Sequence, residues 1–129
     1  MYKTTITYED FDGIEIKEDF YFNLTEAEVA EKELTTEGGY IKRLEAIVAA
    51  KNVPAVIKVV KELLLESYGL KEGKRFRKSK EISEAFSQTN AYSKLFMKLA
   101  TDDAAAAEFI NHVFPKASSV AAKHPAIES

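Results

Sequence analysis

The sequence predicts an α+β fold that is mostly α, an N-terminal β-hairpin followed by about six short helices in one domain. Three observations carry this. Apolar residues alternate from residue 2 to residue 22 around Asp12-Gly13, the period of two that belongs to strands. From residue 25 onward they recur at i, i+3 and i+4 between stop signals, and four of the eight phenylalanines, Phe86, Phe96, Phe109 and Phe114, lie on such stripes. With 129 residues and 46% hydrophobic positions, the chain should bury roughly two thirds of its unfolded surface in one core. Residues 1–115 are assigned to that domain, with the hairpin at 2–22 and the helical part at 25–115. Residues 116–129, rich in Ala and Ser with few large apolar side chains, are expected to be a flexible C-terminal tail.

In the hairpin, Tyr2, Thr4, Ile6 and Tyr8 form one series and Ile14, Ile16, Phe20 and Phe22 the other. A two-residue Asp12-Gly13 turn would pair Phe11 with Ile14 and place the two apolar series on opposite faces. A three-residue loop, Phe11-Asp12-Gly13 with Gly13 left-handed in a bulge, instead pairs Tyr8 with Ile16, Thr4 with Phe20 and Tyr2 with Phe22. That register is expected, with Glu18 opposite Ile6 as its one polar intrusion. An isolated hairpin is marginal in water, so its apolar face must lie on the helices or on another chain.

Thr25 and Glu28 form a capping box, and Leu24 and Val29 occupy the positions of a hydrophobic staple, so a helix starts there and runs to Leu34. Gly38-Gly39 lacks any GK[ST] or GxGxxG context and reads as a loop or hinge. Ile41, Leu44 and Val48 mark a helix over Tyr40 to Lys51. Pro54 suits the first turn of the next, whose face of Val56, Ile57, Val60, Leu63 and Leu64 makes it the most buried helix expected, ending at Tyr68-Gly69. Ile82, Ala85 and Phe86 form a stripe capped by Ser79. Tyr92, Leu95, Phe96 and Leu99 form another capped by Asn90, and Ala106, Phe109, Ile110, Val113 and Phe114 a third, opened by Asp102-Asp103 and closed by Pro115.

Composition narrows the chemistry. There is no cysteine, which removes disulfides, thiolate metal sites and cysteine nucleophiles. Net charge is −3 with 30% charged residues, so no global field draws nucleic acid. Residues 71–80, KEGKRFRKSK, hold six Lys or Arg against one Glu, and read as a solvated connector with a short extended piece at Arg75 to Arg77 rather than a nucleic-acid site. No window approaches the ~20 apolar residues of a membrane span, and the start, MYKTTITYED, lacks a secretory core. His112 and His124 fall in no metal-binding spacing, no serine sits in a nucleophile elbow, and the N-terminus of a helix accounts for Asp102 and Asp103 without an acid/base role. No enzyme activity, metal or cofactor is therefore predicted.

The phrases ITYEDFDG, EDFYFNLTEAEV, AIVAAKNVPAVIKVVKELLLESYG and RFRKSKEISEAFSQTNAYSKLFMKLATDDAAAAEFINHVFP together resemble the small tail assembly chaperones of long-tailed (siphovirus-type) phages and prophages of Gram-positive bacteria. The resemblance spans the chain up to Pro115. It implies a protein of the host cytoplasm, not carried into the mature virion, that binds the helical tape measure protein, keeps it soluble and promotes assembly of major tail tube subunits around it. In such families a longer frameshifted product often exists. No catalytic residue carries over.

The helical partner implied by the resemblance would be held by apolar anchors, and Phe86, Tyr92, Phe96 and Met97 are the candidates. For Phe86 and Phe96 a place in the protein's own core is the stronger expectation; Tyr92 and Met97 are the better surface residues. Whether the chain forms a homo-oligomer, for instance by pairing of hairpins, is left open. Two further readings remain: a small phage-encoded protein acting on a host factor through the acidic helix Glu26 to Glu33, and a minor structural virion protein. Gene neighbourhood beside a tape measure gene separates the first from the chaperone, and mass spectrometry of particles the second.

Overall fold

A computed structural model describes residues 1–115, excluding the side chain of Val48; the tail at 116–129, with His124, and the apolar role of Val48 lie outside the described residues. The order is β1 (Tyr2–Glu9), β2 (Glu15–Phe22), α1 (Glu26–Thr35), α2 (Tyr40–Ala49), α3 (Val53–Ser67), β3 (Tyr68–Glu72), β4 (Arg75–Arg77), α4 (Lys80–Ser87), α5 (Asn90–Thr101) and α6 (Asp103–Val113). The fold is α+β and mostly α, with a four-stranded antiparallel sheet in the order β1-β2-β3-β4.

The first hairpin has the register that face-matching requires: Tyr2 opposite Phe22, Thr4 opposite Phe20, Tyr8 opposite Ile16. Gly13 takes φ 79° at the end of a three-residue loop closed by Asp10 N–H to the Ile14 carbonyl and Gly13 N–H to the Asp10 carbonyl. The Asp10 carboxylate also accepts from the N–H groups of Asp12 and Ile14. Glu18, opposite Ile6, stays exposed and accepts a 2.7 Å hydrogen bond from the Tyr8 hydroxyl. Ile14 departs from expectation: it is 59% exposed, because it closes the loop just outside the strand Glu15–Phe22.

Phe22 is the centre of the core. Its ring is fully buried and lies 5.6–5.9 Å from those of Tyr2, Tyr68, Phe86 and Phe109, so both strands, the second hairpin and helices α4 and α6 meet on it. Such offset and edge-to-face pairs each add to the burial of ~150–250 Å² per ring. α3 supplies Val60, Leu63 and Leu64, all at most 1% exposed, as its broad apolar face predicts.

Local signals act as read. Thr25 and Glu28 complete the capping box, and Leu24 and Val29 are both buried. Pro54 lies in the first turn of α3, Ser79 caps α4, and the Asp102 carboxylate accepts from the N–H groups of Ala104 and Ala105; Asn52, not singled out in the sequence, also caps α3. At the Gly38-Gly39 turn both glycines are left-handed, and the Glu33 carboxylate accepts from Ile41 N–H at 2.6 Å, so the start of α2 is occupied by the protein's own acid rather than open to a phosphate.

Three local expectations fail. Thr89, not Asn90, caps α5; Asn90 is instead drawn to the Glu9 carbonyl at 2.9 Å, a tertiary contact that wins over an equivalent local one. Ala85 is exposed, and Ile82 and Phe86 carry the inward face of α4. Gly69 is no helix cap: α3 ends at Tyr68 in an extended conformation, and residues 68–74, read as helix end and solvated connector, pair as β3 and a turn at Gly73 with the extended piece expected at Arg75–Arg77, which is β4, to form a second hairpin. Gly69 pairs with Tyr21, and a Cβ on it would lie 2.7 Å from Phe76 Cε2 and 2.8 Å from Lys78 Cγ. Glycine is favoured there because the Phe76 ring and the Lys78 stem lie over it and would have to shift for any side chain.

Candidate partner-binding site

Helix α5 carries the candidate residues, and it is tied to the sheet by side chains of its N-terminal half and packed on the core by its inner face. Ala91, Leu95 and Leu99 point into the core at 0%, 2% and 2% exposure. On one flank Asn90 donates to the Glu9 carbonyl and Lys94 to the Thr7 carbonyl, both on the outer edge of β1. The bond from Asp10 N–H to Ile14 turns the backbone groups of alternate residues to that edge, where they would otherwise be unpaired.

On the opposite flank a run of rings leads from the core to the surface. Phe86, 3% exposed, stacks on Tyr68 at 4.1 Å and 13°. Tyr92 meets Phe86 edge-on at 5.5 Å, and Phe96 stacks on Tyr92 at 5.9 Å. Tyr92 and Phe96 are half-buried, and burial raises the pKa of the Tyr92 hydroxyl, which therefore remains a protonated donor. Met97 is 54% exposed and lies about 100° round the helix from Phe96. The structure thus brings Phe86, Tyr92 and Phe96 into one contiguous series, places Phe86 in the core, and puts Met97 on the adjoining outward face. Tyr92 is less exposed than the sequence suggests, because its ring packs between those of Phe86 and Phe96.

A second concavity, an open groove of about 470 Å³, runs between α1, the end of α3 and α4. Leu24, Leu65 and Tyr68 contribute apolar surface, and charged residues with Ser79 and Ser83 line the rest. Four of these charges are paired: Lys78 Nζ bonds Glu28 at 2.7 Å and the Asn23 carbonyl at 2.9 Å, and Lys32 meets Glu66 at 2.5 Å. Burial opposes ionisation of Glu28, but the hydrogen bonds from Lys78 and from Thr25 N–H outweigh it and hold its carboxyl below the usual range. The groove is a structural latch between α1 and the segment entering α4. It was not visible in sequence, since the paired residues are 50 positions apart.

Asp102 is engaged by backbone N–H groups, and His112 Nδ1 lies 2.8 Å from the Glu108 carbonyl on the surface. Among the described residues no group of three or more His, Cys, Asp or Glu could hold a metal ion, and no helix is long and apolar enough to cross a membrane. In the basic segment, Arg77 is paired with Glu72 at 3.0 Å and Lys78 with Glu28, while Lys71, Lys74, Arg75 and Lys80 are exposed.

A family model described as phage tail assembly chaperone matches residues 1–126. No curated protein and no solved structure matches the chain.

Proposed function

The chain belongs to the phage tail assembly chaperone family, and on that premise we propose that it binds helices of the tape measure protein, keeps that protein soluble and promotes assembly of tail tube subunits around it. The observation that carries this reading is the run of rings from Phe86 through Tyr92 to Phe96, bordered by exposed Met97. Aromatic and thioether groups on a rigid helix suit an amphipathic partner helix, which reads such a surface through anchors at i, i+3, i+4 and i+7. Phe86 supports the site from within the core. Tyr92, Phe96 and Met97 make the contact. The role is binding without catalysis or cofactor, performed in the host cytoplasm by residues 1–115 acting as one unit, and the protein leaves before the virion is complete.

The test is co-expression of the cognate tape measure protein with and without this chain, reading its soluble yield. The yield should rise several-fold with the chain present and fall back with Met97→Asp, a substitution at a solvent-facing position. A tape measure protein equally soluble alone refutes the chaperone role.

A further inference from the structure

The two turns of the sheet carry opposite charge. The β1–β2 turn and its flanks hold Glu9, Asp10, Asp12 and Glu15, with no Lys or Arg between Glu9 and Ile16. The β3–β4 hairpin holds Lys71, Lys74, Arg75 and Arg77 against Glu72 alone. Arg77 and Glu72 neutralise each other; among the described residues no ion pair engages the four carboxylates of the first turn, or Lys71, Lys74 and Arg75 of the second. The acidic turn also displays two apolar side chains, Phe11 at 76% and Ile14 at 59% exposure.

Direction follows from the pairing. Tyr68 lies opposite Phe22 and Gly69 opposite Tyr21, so β3 climbs antiparallel to β2 and its turn leaves the sheet at the same end as the first turn. A twofold axis beyond that end sets the acidic turn of one copy against the basic hairpin of another, and does so twice. We propose that the chain associates with a second copy of itself through these turns, with Phe11 and Ile14 shielded between the two charged surfaces. A nucleic acid is the poorer occupant of the basic hairpin, because the four carboxylates at the same end repel phosphate. Each copy contributes about fourteen residues, against the ~20–30 of a standard interface, so the dimer is weak and concentration-dependent. Its attraction is between exposed charges and therefore fades with salt.

Sedimentation velocity of the full chain alone tests this, independently of any tape measure protein. A concentration-dependent dimer is expected at about 0.02 M salt and a monomer at about 0.5 M, where the Debye length falls from roughly 20 Å to about 4 Å. The variant Asp12→Lys with Glu15→Lys and the variant Lys74→Glu with Arg75→Glu should each be monomeric with an unchanged melting temperature. Mixed in equal amounts they should form a 1:1 heterodimer, because one contact keeps the unaltered basic hairpin against the unaltered acidic turn and the other sets the introduced lysines against the introduced glutamates. A wild-type chain that is monomeric at low salt, a dimer indifferent to salt, or a mixture that stays monomeric overturns the proposal. So does an oligonucleotide that binds the hairpin and displaces the second copy.

Discussion

Replacing Gly69 with alanine tests whether the second hairpin is packed as described. The added Cβ would lie 2.7 and 2.8 Å from two carbons of the Phe76 ring and 2.8 Å from Lys78 Cγ. Neither neighbour yields freely: the ring lies against Gly69, and the lysine stem is anchored at its head by Glu28 and the Asn23 carbonyl. Overpacking of this kind costs roughly 1–3 kcal/mol. Opposing it, alanine restricts the unfolded chain and returns about 0.4–1 kcal/mol, since Gly69 has no left-handed φ to forbid a side chain. The clash should win by roughly 1–2 kcal/mol, a fall in Tm of about 4–8 °C for a chain of this size. Thermal unfolding followed by circular dichroism reads it. A double-mutant cycle with Phe76→Ala then assigns the cause: removing the ring should relieve part of the cost, leaving the double variant more stable than the two single losses predict. A Gly69→Ala protein as stable as wild type, or strict additivity with Phe76→Ala, would refute the close approach.

Phe109→Ala and Phe86→Ala, at 0% and 3% exposure, should each cost roughly 3–5 kcal/mol; an unchanged melting temperature in either would show that its stripe faces a partner instead. Gly13→Val should cost about 1 kcal/mol or more, because φ 79° excludes a β-branched residue, and an unperturbed denaturant midpoint would argue against the bulge. Stability should also fall in acid through Glu28. Its folded pKa is depressed below the usual value for a glutamate of about 4.5, so its contribution is complete above that value and is lost as pH falls through the lower folded value. The partly exposed Lys78–Glu28 pair is worth roughly 0.5–1 kcal/mol. Denaturant titrations of wild type and Glu28→Gln between pH 3 and 7 should converge at the acid end, and parallel curves would contradict the latch.

What sequence could reveal divides by the range of the interaction. The register of the first hairpin was legible because only one loop length puts Tyr2, Ile6, Phe20 and Phe22 on a common face. The caps at Thr25, Ser79 and Asp102 were legible because each acts within three residues. Of the second hairpin only the extended piece at Arg75–Arg77 was legible; its partner strand Tyr68–Glu72 was hidden, because it continues directly from α3 and the Lys and Arg of the segment look solvated. The signal that could have found it is Gly73 in Lys71-Glu72-Gly73-Lys74, a turn residue between two short runs. At the candidate site the stripe of α5 was visible, but not that Tyr92 would lean on Phe86, since depth within a core depends on elements far away in the chain. The Lys78–Glu28 latch and the Asn90–Glu9 contact depend on such distant pairings too.

The central claim is that a tape measure helix is held by apolar contact with Tyr92, Phe96 and Met97, and the most direct measurement is retention of the co-purified tape measure protein across a salt series. Raising salt to about 1 M shortens the screening length to ~3 Å and weakens exposed charge pairs, while burial of apolar surface is left intact. Retention should therefore be constant from low to high salt for wild type and sharply reduced at every salt concentration for Met97→Asp. Release of the partner as salt rises would place binding on charged surfaces such as Lys71 to Lys80, and a tape measure protein that never co-purifies, or that Met97→Asp retains fully, would contradict the account.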